Sequence, residues 1–78
     1  MKVFDYTVVV WRESAGYVSK TPELGVASCG DTVNEAVDNL REAVDLYIEN
    51  AEALGILDDI EESLTTLEKF TTHVEVSR

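Results

Sequence analysis

The stretch GDTVNEAVDNLREAVDLYIENAEALG, residues 30–55, decides the fold. Thr32 and Glu35 have the spacing of a capping box: a hydroxyl accepts from a backbone N–H in the first helical turn, and a carboxylate reaches back. Behind this start, Val33, Val37, Leu40, Val44, Tyr47, Ala51 and Leu54 recur at steps of three and four. That spacing predicts one face of an amphipathic helix. Ala36, Ala43 and Ile48 flank the face and widen it. Glu35, Asp38, Glu42, Asp45, Glu49 and Glu52 lie on the opposite side. Gly55 supplies a left-handed stop. Such a helix packs its apolar side on a small sheet and presents an acidic side to water.

The sheet is expected upstream. Phe4, Tyr6, Val8 and Val10 alternate with Val3, Asp5, Thr7, Val9 and Trp11, which predicts a long first strand of strong β-formers. The uniformly apolar Phe4/Tyr6/Val8/Val10 side should meet the helix. The other side still carries Val3, Val9 and Trp11, and so asks for a cover. Glu13-Ser14-Ala15-Gly16 reads as a turn into a second, antiparallel strand, Tyr17–Lys20. Thr21-Pro22-Glu23-Leu24-Gly25 breaks it, because proline cannot donate to a ladder. Val26–Cys29 is a short third strand.

Downstream, Ile56, Leu57, Ile60, Leu64 and Leu67 have helical spacing, with Asp58, Asp59, Glu61 and Glu62 facing out. They predict a short helix near 57–66. Phe70, Thr72, Val74 and Val76 then alternate with Thr71, His73 and Glu75, a pattern for a final strand. The expected order is β-β-β-α-(α)-β. It describes an α+β domain over 1–78: a small, antiparallel-rich sheet with one main amphipathic helix on one face.

Seventy-eight residues bury little surface, so self-association is an attractive expectation. No run approaches the roughly 20 apolar residues needed to cross a bilayer. The start resembles a strand and not a cleaved leader, and a lone Cys29 permits no internal disulfide. A cytoplasmic protein is expected. The net charge of −10 is unevenly placed. Residues 1–30 carry three acids and three bases; residues 31–68 carry twelve acids against Arg41 alone, a net of −11; residues 69–78 sum to +1. A surface of this sign repels phosphate backbones, steers a basic partner and keeps a small domain soluble.

The abundant acids suggest metal chemistry, and the pattern weighs against it. Asp38, Glu42 and Asp45 share a helix face, as oxygen ligands of a divalent cation would, but a solvated face has the same spacing. Strand-strand-strand-helix-strand order invites comparison with ribonuclease H, where Asp5, Glu35 or Glu42, and Glu75 would form a two-metal set. Strand alternation puts Asp5 on the side of the sheet away from the helix. His73 has no nucleophile beside it on its strand face, and Cys29 has Asp31 where a reactive thiol needs a positive neighbour. Gly16, Gly25, Gly30 and Gly55 are too scattered for a phosphate loop. No catalytic residue, metal site or cofactor is expected. Trp11 is the residue of interest on the mixed face, as an interface anchor or as packing for the last segment.

Four runs together resemble one family. They are Tyr6-Thr7-Val8-Val9-Val10; Gly16-Tyr17-Val18-Ser19; Pro22-Glu23-Leu24-Gly25-Val26-Ala27-Ser28-Cys29-Gly30-Asp31-Thr32-Val33-Asn34-Glu35-Ala36; and Asn39-Leu40-Arg41-Glu42-Ala43-Val44-Asp45-Leu46-Tyr47. This pattern is similar to the HicB-like antitoxin domain over about residues 4–50. The resemblance implies a partial ribonuclease H-like fold without nuclease chemistry. It implies self-association, and neutralisation of HicA, a small basic toxin that cleaves messenger RNA. Many such proteins add a C-terminal DNA-binding module, and none is expected here after Val74-Glu75-Val76. Thr21 stands where many relatives have cysteine.

Two sets of contact residues follow from charge and alternation, independently of the resemblance. Asp38, Glu42, Asp45 and Glu49 would steer a HicA-like toxin. Val3, Val9 and Trp11 would form the interface of a homodimer or higher homo-oligomer. The alternatives are a homo-oligomeric regulatory domain without a toxin partner and, further off, a residual metal-dependent nuclease. Direct nucleic-acid or membrane binding is not expected.

Overall fold

The computed structural model of the chain describes residues 3–66 and 68–77. Three strands, β1 (Val9–Glu13), β2 (Gly16–Thr21) and β3 (Val26–Gly30), form one antiparallel sheet in the order β1-β2-β3. Two helices follow, α1 (Val33–Ala53) and α2 (Leu57–Thr65). The result is a small α+β domain with the main helix on one face of the sheet. The register sets Trp11 opposite Val18 and Val18 opposite Cys29, and it sets Val10 opposite Ser19 and Ser19 opposite Ser28.

Both ends of α1 are built by the residues that signalled them. The Thr32 hydroxyl accepts from the Glu35 N–H at 3.1 Å, satisfying one of the orphan donors of the first turn. At the far end Gly55 adopts φ +73°. Its N–H donates to the Glu52 carbonyl at 3.1 Å and the Ile56 N–H to the Ala51 carbonyl at 2.9 Å, the paired bonds of a Schellman stop. Thr32→Ala should lower stability by about 1 kcal/mol in urea unfolding; an unchanged midpoint would mean that tertiary packing alone holds the first turn.

The buried face of α1 differs from the expected one. Ala36, Leu40, Val44 and Ala51 are buried, whereas Val33, Tyr47 and Leu54 are exposed. The cause lies at the N-terminal end of the helix. The buried Ser19 hydroxyl donates to the Ala36 carbonyl at 2.7 Å, which holds the helix backbone against β2 at that point. Ala36, expected at the flank, therefore sits at the centre of the contact, and Val33 is turned aside. In α2, Leu64 is fully buried and Leu57 and Ile60 are half-buried. Leu67 lies outside the described residues.

Two strand expectations need correction. The first strand is shorter than its pattern and begins at Val9, because the backbone before it is committed elsewhere. The Asp5 N–H donates to the Leu64 carbonyl at 2.6 Å and the Thr7 N–H to the Glu23 carboxylate at 2.8 Å. Those groups tie the segment to α2 and to the β2–β3 loop. The final strand expected at residues 70–76 is not formed: among the described residues, 68–77 carry no ladder. Period-two alternation makes a segment able to pair, but a strand also needs an edge aligned beside it, and no described strand is paired with this segment. Phe70, Val74 and Val76 are 90, 82 and 68% exposed.

Candidate partner-binding surfaces

Three regions of the domain carry chemistry that can recognise something else. The first is the outer side of α1. Asp38, Glu42, Asp45 and Glu49 are all exposed, and steps of four, three and four residues place them along one ridge. Arg41 reaches the Asp38 carboxylate at 3.4 Å, an exposed pair of little energetic weight. The remaining three carboxylates face water. A 21-residue helix holds them in a rigid row, so their combined field acts on an approaching cation without ordering costs.

The second region is the sheet face turned away from α1. Ser19 bonds to the helix, so its cross-strand partners Val10 and Ser28 share the helix side, and alternation puts Val9, Trp11, Val18, Ala27 and Cys29 on the other. Trp11 is 40% exposed and donates its indole N–H to the Glu13 carboxylate at 2.8 Å. Val9 and Trp11, expected at an interface, are thus brought together on one face. Val3 precedes the strand, outside the ladder. Val18, Ala27 and Cys29 join that face through the register, which sequence alternation in β1 alone could not disclose. Lys20 crosses it opposite Val9. A shallow depression of about 260 Å³ adjoins this face beside the β1–β2 hairpin, lined among others by Tyr17, Val18, Cys29 and Asp31.

The third region is a clip at Glu23 that sequence reading assigned only to a turn. One carboxylate oxygen of Glu23 accepts from the Thr7 N–H at 2.8 Å, the Thr7 hydroxyl at 2.9 Å and the Lys69 ammonium at 3.0 Å. The other accepts from the buried Thr21 hydroxyl at 3.1 Å. Lys69 also donates to the Asp5 carbonyl. Burial is the largest single influence on this carboxyl and pushes its pKa up. Lys69, Glu23's own N–H and the Thr7 N–H and hydroxyl together outweigh it and lower the pKa from 4.5 to about 2. The clip joins the segment before β1, the β2–β3 loop and the start of the C-terminal segment. No pattern in the sequence announces it, since its members lie far apart in the chain.

Among the described residues, no three His, Cys, Asp or Glu side chains gather as metal ligands would. Asp5, Glu35, Glu42 and Glu75 are therefore not brought together. No described helix is long and apolar enough to cross a membrane.

Fold and surfaces define a small α+β domain: an antiparallel three-stranded sheet, the main helix on one face, an apolar open face and an acidic outer side of that helix. In sequence it is similar to UPF0150 protein ssr1765 of Synechocystis sp. (strain ATCC 27184 / PCC 6803 / Kazusa), with 43% identity over 51 residues, 63% of this chain and 65% of that protein. It is also similar to an uncharacterized 14.9 kDa protein in the rep-hol intergenic region of Haemophilus phage HP1 (strain HP1c1), with 38% identity over 58 residues, 73% of this chain and 40% of that protein. The chain thus spans less than two thirds of the length of either relative. No family model matches the chain, and no solved structure matches it.

Proposed function

We propose that this chain is a non-enzymatic, HicB-like antitoxin or regulatory binding module, acting in the cytoplasm, that neutralises a small basic messenger-RNA-cleaving toxin of the HicA type. The observation that carries the reading is the acidic ridge. Asp38, Glu42, Asp45 and Glu49 stand exposed in a row on one helix, with Arg41 as the only base within residues 31–68. A basic nuclease presents to RNA the same positive surface that such a ridge attracts, so the ridge steers the encounter and the bound module covers the RNA path. The resemblance of the Pro22–Tyr47 region to HicB-like domains supports the same direction.

The test is direct. Adding the protein to a HicA-type toxin should protect RNA from cleavage, and binding should weaken as salt rises. The variant carrying Asp38→Asn, Glu42→Gln, Asp45→Asn and Glu49→Gln should associate about tenfold more slowly at low ionic strength. Unchanged association by the quadruple variant would remove the ridge from recognition, and no detectable binding at low salt would reject the toxin-neutralising reading.

The apolar open face favours a second reading, a homo-oligomeric regulatory domain with no toxin partner. Val9, Trp11 and Val18 form a patch suited to burial against another subunit. A short basic reading frame beside the gene would favour the first reading over the second.

A further inference from the structure

Residues 70–76 have the composition of a strand and carry no ladder, while the sheet has unpaired outer edges on β3, which α1 packs over, and on β1, which α1 hardly reaches. We propose that these two features belong together across two molecules: the 70–76 arm of one copy pairs along the β1 edge of a second copy, reciprocally, in a strand-exchanged dimer.

Four observations carry this inference. The first is chemical. Phe70, Thr72, Val74 and Val76 form one side of the arm and Thr71, His73 and Glu75 the other, with no glycine or proline to interrupt a ladder. Its three large apolar side chains are among the most exposed of the described residues. An exposed edge strand is a ready template for such a segment, because main-chain groups supply the affinity and alternate side chains the fit.

The second is shape. The Cα radius of gyration is 14.1 Å and the principal extents are 43 × 26 × 21 Å. A compact chain of this length has a radius of about 11–12 Å. The excess agrees with an arm that leaves the body and does not fold back on it, the arrangement from which reciprocal exchange between identical copies closes a two-fold dimer.

The third is where the arm is rooted. Lys69 is held by Glu23 and by the Asp5 carbonyl, and the Asp5 N–H is held by Leu64. The arm therefore departs beside the segment that runs into β1, and in the exchanged dimer it lies along β1 of the second copy. Seven extended residues reach about 23 Å, enough to cover the roughly 17 Å of a five-residue strand. The helix α1 lies over β3 and β2 and hardly reaches β1, so the helix side of the β1 edge has room for the apolar side of an added strand.

The fourth is electrostatic. Two copies each carry −10, and the helical region holds −11 of it. Residues 1–30 sum to zero and residues 69–78 to +1. Association through β1 and the arm joins the only parts of the two molecules that do not repel.

Disulfide trapping tests the exchange. In a Cys29→Ser background, one batch carries Arg12→Cys on β1, and a second carries Thr72→Cys or His73→Cys on the arm. The two are unfolded together, refolded and oxidised. With one batch labelled with nitrogen-15, the expected product is a covalent dimer of one labelled and one unlabelled chain. Exposed cysteines also join by random collision, so the heterodimer yield must exceed that of a control pair in which the arm cysteine is replaced by Glu49→Cys; equal yields would overturn the exchange. Val74→Pro in the otherwise native chain should convert the dimer to a monomer by light scattering, with the helical circular dichroism unchanged. A native chain that is monomeric at micromolar concentration would overturn the proposal. So would a dimer that yields no heterodisulfide with either arm position, or an Arg12→Cys/Thr72→Cys double variant that closes its disulfide within one chain.

Discussion

Gly30→Ala should cost about 3 kcal/mol, the upper part of the range for overpacking a well-packed contact. A Cβ at residue 30 would lie 2.6 Å from the Ala36 backbone N, 2.7 Å from the Glu35 Cβ and 2.8 Å from the Glu35 carbonyl carbon. Two of these three atoms are helix backbone, which cannot rotate out of the way as a side chain can. The first turn of α1 must therefore lift off β3. Lifting it strains the Ser19 hydroxyl bond to the Ala36 carbonyl and the Asn39 amide bond to the Cys29 carbonyl, at 2.7 and 2.8 Å. A domain of this size has a total stability of roughly 4–12 kcal/mol, so the loss is a large fraction of it. Urea unfolding followed by circular dichroism should show a markedly lower midpoint, and thermal unfolding a fall of more than 10 °C. An alanine variant as stable as the native chain would show that α1 and β3 do not approach this closely.

Glu23→Gln should cost a similar amount at neutral pH, and the cost should vanish in acid. A carboxyl lowered from 4.5 to about 2 contributes about 3 kcal/mol to folding when fully ionised. Because its pKa is lower in the folded state, that contribution is complete above about pH 4.5. It is lost as pH falls toward 2, where the carboxyl protonates in both states. Glutamine keeps the shape and part of the hydrogen bonding but gives Lys69 no charge partner, and the Glu23 side chain is only 11% exposed. The stability difference between native and variant chains, measured by urea unfolding at pH 7, 4.5, 3 and 2, should therefore close between pH 4.5 and 2. A difference that stays constant over that window would assign the effect to packing and not to charge. The same substitution frees Lys69, so residues 68–77 should also become more susceptible to limited proteolysis.

The two sites differ in how far the sequence revealed them. In the sequence Gly30 is only the first residue of the helical stretch, and its real constraint is the distance between two elements. Glu23 was legible only as part of a turn. Its partners Thr7 and Lys69 are on opposite sides of it in the chain and carry no common period, so no local pattern could bring the three together. The acidic ridge stands at the other extreme. Asp38, Glu42, Asp45 and Glu49 are neighbours by helical geometry alone, and the helix places them as their spacing required.

What the sequence alone determined is local: the capped start at Thr32, the Gly55 stop, the second and third strands around their turns, the second helix and the acidic side of α1. Each depends on backbone periodicity or on one residue's conformational preference, and both act over a few positions. The tertiary structure decided which side of α1 is buried, because the Ser19 bond to Ala36 and the bare Gly30 set the closest approach. It ended the first strand early, since the Asp5 and Thr7 N–H groups have partners outside the sheet. It also decided that the alternation at 70–76 produces no strand within one chain. Pairing needs an edge aligned beside the segment, and that alignment is a property of the assembled molecule.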